Sequence, residues 1–296
     1  MKPQIKKRIE SIRKDRQHGA TWLTEKALEI LRDICDINYA HERQEDFIKE
    51  IAEAVVAIRT ARPSMVSIAN FSTQFLEEVQ AAASGSRSTI KLKKRAYAIV
   101  TRLLELNAKS TALLCKKAYP VIKNRSIVMT CSYSDTVCTV LEYARSRGKD
   151  FKVLAIQSLF NNISYGEITA ERLKKSNIVC RIIPDSQIAW HVARADMTIL
   201  GADAICWQGW LLNGTPSHKL ANLSNMRNIP VYVICSKSKF DPRGFLAGII
   251  EPEPGFDKVP LKLINSIISE AEIYRPDQIY DLTNDDIFRS RRVRVD

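Results

Sequence analysis

No Cys-x-x-Cys pair occurs in this sequence. Its seven cysteines, at 35, 115, 131, 138, 180, 206 and 235, are scattered and odd in number. The four histidines, at 18, 41, 191 and 218, show no His-x-x-x-His spacing. Together these absences exclude a disulfide framework and argue against a zinc site. They leave the cysteines as small core residues in a reducing compartment. No apolar run reaches the ~18 residues that a membrane span needs. The basic start, Met1 to Arg8, is not followed by a signal-like apolar region. The expectation is a cytoplasmic protein with no membrane partner. There is no obvious internal repeat and no low-complexity segment.

What is present is an ordinary globular composition. The chain has 296 residues, 45% apolar and 26% charged, enough to bury a sizeable core and more than one average domain. The formal net charge is +12. Residues 1 to 125 carry 24 Lys/Arg against 14 Asp/Glu, so the excess sits in the N-terminal part. A basic surface attracts nucleic acid or anionic metabolites. No recognised nucleic-acid motif accompanies it, so nucleic acid is not an expected partner.

Residues 1 to 125 read as helices. Ile5, Ile9 and Ile12 recur at helical spacing up to Asp15. Thr21 is placed to cap a second helix with Leu23, Ala27, Ile30 and Leu31 inward. A third fits Phe47 to Ile58 and ends before Arg62-Pro63, because a residue preceding proline avoids the helical region. Met65 to Ala83 predicts a fourth helix and Ile90 to Leu114 a fifth, with a turn at Gly85 between them. From about 126 the rhythm changes. Strands are expected at Ile127–Met129, Phe151–Ile156, Ile178–Ile183, Met197–Leu200 and Val231–Cys235. Helices are expected at Ser134–Arg147, Ile168–Lys174, Ser186–Ala195 and from Ser217 onward. Strands alternating with helices predict βαβ units and a mainly parallel sheet. The fold class is α/β, with an all-helical domain at 1–120 and a Rossmann-like domain at 121–296, joined near 118–126. The tail from Arg289 reads as a solvated end.

The stretch 196–221 organises the second domain. A buried strand, Met197–Leu200, leads through Gly201 to Asp203. A loop rich in small and polar residues follows, with Gly209, Asn213, Gly214 and Pro216, and Ser217 then caps a helix. Strand, loop and helix start form the grammar of an α/β ligand site, where helix N-termini offer N–H groups to anions. The first strand delivers Thr130-Cys131-Ser132-Tyr133-Ser134-Asp135 to the same rim. Its hydroxyls suit a phosphate or a sugar, and Ser134 serves equally as a cap. Asp203 is either a general acid/base or an acceptor of its own loop's N–H groups. Cys131 is either a nucleophile at a helix start or a buried core thiol. Gly19 and Arg62 are candidates for an anion clamp from the helical domain.

These residues resemble a known family. Gly201-Ala202-Asp203-Ala204-Ile205, Gly209, Asn213 and Ile229-Pro230-Val231-Tyr232-Val233 are similar to the signature shared by the alpha, beta and delta subunits of translation initiation factor 2B and two sugar-phosphate isomerases. The isomerases act on ribose-1,5-bisphosphate and methylthioribose-1-phosphate. His18-Gly19-Ala20 resembles the family's Arg-Gly-Ala turn, and Arg62-Pro63-Ser64 its Arg-Pro-Thr. Lys239-Phe240-Asp241 and Phe256 to Ile264 resemble its C-terminal blocks. The resemblance implies the two-domain architecture above, a homodimer or dimer-based assembly through the α/β domain, and no cofactor or metal. It implies ligand contacts at Gly19, Ala20, Arg62, Ser134 and Asn213, for a phosphorylated sugar or nucleotide.

The departures from the family pattern bear on activity. The isomerases resemble one another in a Thr-His-Cys loop whose cysteine works with the aspartate at 203. Here Ser132 takes the cysteine's position and Cys131 the histidine's. Losing a positioned acid or base typically costs ~10²–10⁴-fold in rate. Asp135 replaces a basic residue and is expected to repel phosphate. Asn213-Gly214 replaces Asn-Lys, Gln208-Gly209 replaces Asn-Gly, and Gln157-Ser158-Leu159-Phe160 replaces Glu-Ser-Arg-Pro. The implied function is a non-catalytic, regulatory or interaction role, possible in translation initiation. The alternative is an aldose–ketose isomerase of a 1-phosphorylated pentose, with Asp203 as acid/base and Ser132 or Cys131 in place of the thiol.

Overall fold

The computed structural model describes residues 1–36, 41, 43–85, 88–246, 248 and 251–282. The tail from Arg289 lies outside the described residues. Two compact units are distinguished, Met1–Lys109 and Ser110 onward. The elements of the first are α1 Pro3–Lys14, α2 Ala20–Ile34, α3 Gln44–Ala61, α4 Val66–Ala83 and the start of α5, Thr89–Ala118. Helical spacing sends Ile5, Ile9 and Ile12 of α1 into the core with Leu23 and Leu31 of α2. Phe47 and Ile51 of α3 and Phe75 of α4 complete it. α3 stops where predicted: Arg62, before Pro63, leaves helical space at φ −142° and ψ 74°. Thr21 is not the cap of α2. The N-cap is Gly19, and no side chain caps that end.

The second unit alternates strand and helix. In order it contains β1 Ser126–Thr130, α6 Asp135–Ser146, β2 Phe151–Ile156, the hairpin β3 Leu159–Phe160 and β4 Ile163–Ser164, α7 Tyr165–Lys175 and β5 Val179–Ile183. It continues with α8 Ile188–Val192, β6 Met197–Leu200, β7 Ala204–Cys206, β8 Trp210–Gly214, α9 Ser217–Met226 and β9 Val231–Ile234. The last strands are β10 Phe240–Asp241, β11 Phe256–Pro260, β12 Ser266–Ile268 and β13 Ile273–Tyr274. The main sheet has the order β13-β12-β9-β6-β1-β2-β5, and all its pairs are parallel except β12 with β13. The chain runs outward from β1 to β5 and then returns to the other side at β6. The loops after β1 and β6 therefore leave in opposite directions, which makes the carboxyl ends of these two strands the switch point of the sheet, where a crevice is expected. The expected α/β class and mainly parallel sheet are present.

Three local expectations change. The segment after Gly201 is not a loop. It holds the hairpin β7–β8, which joins β10 and β11 in a second, four-stranded sheet. Its partner β11 lies some forty residues further on, so no local pattern announces the pairing. Ser217 is the first residue of α9, not its cap, which is Pro216. The helix expected over Ser186–Ala195 is a 3₁₀ turn, Asp185–Gln187, followed by the short α8.

Leu211 of β8 is fully buried in the core beneath the crevice. Leu211→Ala is expected to cost about 2–5 kcal/mol, as a core deletion, whereas an exposed loop position would change stability by about 0.5 kcal/mol or less. Urea denaturation monitored by circular dichroism distinguishes the two.

Candidate functional site

In the second unit the structure brings together four of the expected residues at the crevice between β1 and β6. Ser134 caps α6, its Oγ accepting the Val137 N–H at 3.3 Å. Gly201, at the end of β6, lies against it: a Cβ there would fall 2.5 Å from Ser134 Oγ and 3.5 Å from Asn213 Oδ1. Asn213 is buried and donates from Nδ2 to Ser217 Oγ at 2.7 Å. Gly214 lies as close to Ser132: a Cβ there would sit 2.8 Å from Ser132 Cβ. The two glycines are thus small because the serine-rich loop passes directly over them.

Ser132 has left-handed backbone, at φ 55°. That conformation costs a non-glycine residue roughly 1–2 kcal/mol. Its neighbours hold it there. The Ser132 N–H donates to Ser158 Oγ at 2.8 Å, and its carbonyl accepts from Thr169 Oγ1 at 3.2 Å. Cys131 turns the other way and is fully buried. Its Sγ lies 3.3 Å from Ser217 Oγ. Burial pushes its thiol up to about 12, against a smaller lowering by the Ser217 hydroxyl. The carboxylates that act on it are Asp257 and Asp185. Near neutral pH it is a protonated core thiol, unsuited to nucleophilic or acid/base work.

Asp203 stands two residues beyond Gly201, half-buried, with its N–H bonded to the Leu212 carbonyl at 2.8 Å. Its charge is felt at Cys235, whose thiol burial drives to about 12. Lys239 acts on the same thiol in the opposite sense. Lys239 is itself only 4% exposed. Sequence reasoning quoted Lys239 within a family block but did not name it as a site residue. It is a buried lysine within electrostatic reach of Cys235.

The repulsion expected from Asp135 is offset. Arg172, on α7, donates to Asp135 Oδ1 at 2.9 Å and to the Tyr133 hydroxyl at 3.1 Å. The same guanidinium grips Glu142 with two bonds of 3.0 Å and Thr139 with one of 2.7 Å. Tyr133 in turn donates to Asp135 at 2.7 Å. Asp135 is thus a partner in a network that ties α6 to α7, in which one guanidinium serves two carboxylates, Asp135 and Glu142.

The first unit carries Gly19, Ala20 and Arg62. Asp15 organises their turn: its Oδ1 accepts the N–H groups of Gln17 and His18 at 3.0 and 2.8 Å. The Arg62 guanidinium, 7% exposed, donates to the Asp15 carbonyl. Arg62 is therefore fixed beside the turn that leads into Gly19 and the N-terminus of α2.

The sequence pattern of the initiation factor 2 subunit family is matched over residues 16–253. This chain belongs to that family. Its relatives carry two kinds of name. Ribose 1,5-bisphosphate isomerase of Methanocaldococcus jannaschii is 25% identical over 293 residues, covering 92% of each chain. A putative translation initiation factor eIF-2B subunit 2-like protein of Pyrococcus horikoshii is 28% identical, covering 90% of this chain and 95% of that one. Among solved structures, the Pyrococcus horikoshii translation initiation factor eIF-2B is 23% identical, with a TM-score of 0.81 over 94% of this chain and 99% of that one. The tetrameric eIF2B-beta2-delta2 complex from C. thermophilum is 18% identical, with a TM-score of 0.78 over 94% of this chain and 92% of that one. These structures establish the shared fold. Among the described residues no helix is long and apolar enough to cross a membrane.

Gly201→Ala is expected to lose about 1–3 kcal/mol, because the new Cβ overlaps Ser134. In a Ser134→Gly background most of that loss should disappear, since glycine at an N-cap costs only about a few tenths of a kcal/mol. A double-mutant cycle by thermal denaturation measures the coupling. Iodoacetamide at pH 8 should leave Cys131 unmodified in the folded protein and reach Cys180 first, the one cysteine that is not buried. Peptide mass spectrometry reads the order.

Proposed function

We propose that this chain is a non-catalytic member of the family, with a regulatory or protein-interaction role linked to translation initiation. Its α/β unit holds a phosphorylated sugar or nucleotide at the rim formed by Ser132, Ser134, Gly201 and Asn213, without isomerising it. One observation carries the reading. The loop offers a serine where the isomerases carry their cysteine, and its thiol at 131 is buried against Ser217 with its acidity suppressed to about 12. An alcohol at 132 is a far poorer acid or base near neutral pH. The remaining rim suits binding. It has a capped helix start and a buried amide at Asn213. Ser134 and Asn213 are the proposed ligand contacts in this unit, and Gly19, Ala20 and Arg62 those in the helical unit. We further propose a cytoplasmic homodimer or dimer-based assembly, a reading supported by the tetrameric structural neighbour.

A second reading, an aldose–ketose isomerase of the ribose-1,5-bisphosphate type, is favoured by Asp203 at the rim and by the isomerase names among the relatives. In it Asp203 is the acid/base and Ser132 replaces the thiol. The two readings part in one experiment. Purified protein mixed with ribose-1,5-bisphosphate should form no ketose, while the same ligand or a nucleoside monophosphate raises the melting temperature. Asn213→Ala should abolish the shift. Turnover that vanishes in Asp203→Asn would replace the first reading with the second.

A further inference from the structure

Charge in the second half of the chain is nearly balanced along the sequence, with 21 Lys/Arg against 19 Asp/Glu from residue 126 onward. It is not balanced in space. Helices of a doubly wound sheet run back against its strands, so their C-termini gather where the strands begin. That end carries Arg227 before β9, Arg194 before β6, Lys123 and Arg125 before β1, Arg147 before β2, and Lys174 and Lys175 before β5. All are exposed, and none forms an ion pair among the described residues. The carboxylates of the same loops are engaged. Asp150 pairs with Arg145 at 2.8 Å, and Asp196 accepts the Ile127 N–H at 2.7 Å.

Cations at helix C-termini answer the helix dipole, an effect confined to the last turn. Lys123 and Arg125 lie beyond α5 and the turn after it, so that explanation does not reach them. The starts of β9, β6, β1, β2 and β5 form a row of four interstrand steps of about 4.8 Å, roughly 19 Å in all. The cations stand on both sides of it: Arg194 and Arg227 follow α8 and α9 on one face of the sheet, and Arg147, Lys174 and Lys175 lie at the ends of α6 and α7 on the other. Lys149 lies beside it, its ammonium held below the ordinary lysine value by burial and by Lys123. At the middle of the row a cleft of about 270 Å³ opens between β1, β6 and β9. Lys123, Arg125, Asp196, Pro230 and Tyr232 line it, with the Asp196 carboxylate bonded to the Ile127 N–H. Trp190, on α8, is 67% exposed, and the Arg194 guanidinium sits 5.1 Å from its ring centre.

We infer that the amino-terminal end of the main sheet binds single-stranded nucleic acid. The exposed cations track the phosphates, the cleft receives one nucleotide, and Trp190 with Arg194 offers a face on which a base stacks. A basic surface that carries an exposed indole is the pairing that such strands recognise. An acidic protein segment would use the cations and leave the indole without a role. This surface lies at the opposite end of the sheet from the crevice at Ser134 and Gly201, and the inference is independent of what that crevice binds.

Fluorescence anisotropy with a labelled twelve-residue oligouridylate, titrated between 50 and 200 mM salt, tests it. The full chain should bind, with a log–log salt slope of about −0.7 per phosphate contact. Replacing Lys123, Arg125, Arg194 and Arg227 together by alanine should weaken binding by about thirtyfold or more and flatten that slope. The milder Arg194→Ala/Arg227→Ala variant should lose about fivefold or more. Lys6→Ala/Lys7→Ala in α1, also exposed, should change binding by less than about twofold, which separates this row from the basic charge of the first unit. Trp190→Ala should weaken the oligonucleotide complex about fivefold or more and leave retention of polyglutamate unchanged. The inference is overturned if the parent protein does not bind at 50 mM salt, or if the loss follows the α1 variant instead. It is also overturned if polyglutamate binds as tightly as the oligonucleotide with no effect of Trp190, which would give the row to an acidic protein segment.

Discussion

At Gly201 the end of β6 and the start of α6 meet with no space for a side chain. That approach sets the geometry of everything at the carboxyl end of the sheet. It places the Ser134 hydroxyl over the β6 backbone, brings Asn213 alongside, and leaves Asp203 to begin the second sheet. The tight packing of Ser132 against Gly214 repeats the device one loop further on. Interiors packed to this density deform little, so the rim is a preformed cradle.

The strand order explains why the cradle lies where it does. β1 and β6 are adjacent, but the chain departs from them toward opposite edges, so their carboxyl ends form the switch point of the sheet. The same arrangement sorts the charges. Carboxylates at 135, 185, 203 and 257 lie toward the carboxyl end, while the opposite end is bordered by arginines and lysines that outnumber Asp150 and Asp196. Along the sequence these charges alternate and cancel. Only the reversal of direction between strand and helix separates them.

Much of this was legible in the residues. Apolar spacing gave the helices of the first unit, because one buried stripe per helix leaves a periodic trace. Short β-branched runs gave the main parallel strands, and hydroxyls at 132 and 134 marked the loop after β1. The second sheet was not legible. Ala204–Cys206 and Trp210–Gly214 are short, separated by a glycine-bearing turn, and completed by a strand distant in sequence, so the segment passes for a loop. Nor did Asp135 reveal its role. Beside the loop after β1 it reads as a repelling charge, yet the arginine that pairs with it lies 37 residues away on another helix. Lys239 escaped notice for a similar reason. Its burial is a tertiary property, which no linear pattern reports.

The pairing of β11 with β8 has a consequence for how the molecule is made. Synthesis proceeds from the N-terminus at about 5–20 residues per second. The loop after β1 emerges early, and β6 with its glycine some seventy residues later. β8 then has to wait for Phe256–Pro260 before its free edge is covered, and Asp257, which holds the His218 N–H, arrives with that strand. Until then a nascent chain exposes an unpaired hairpin edge of the kind that chaperones retain and that neighbouring chains capture.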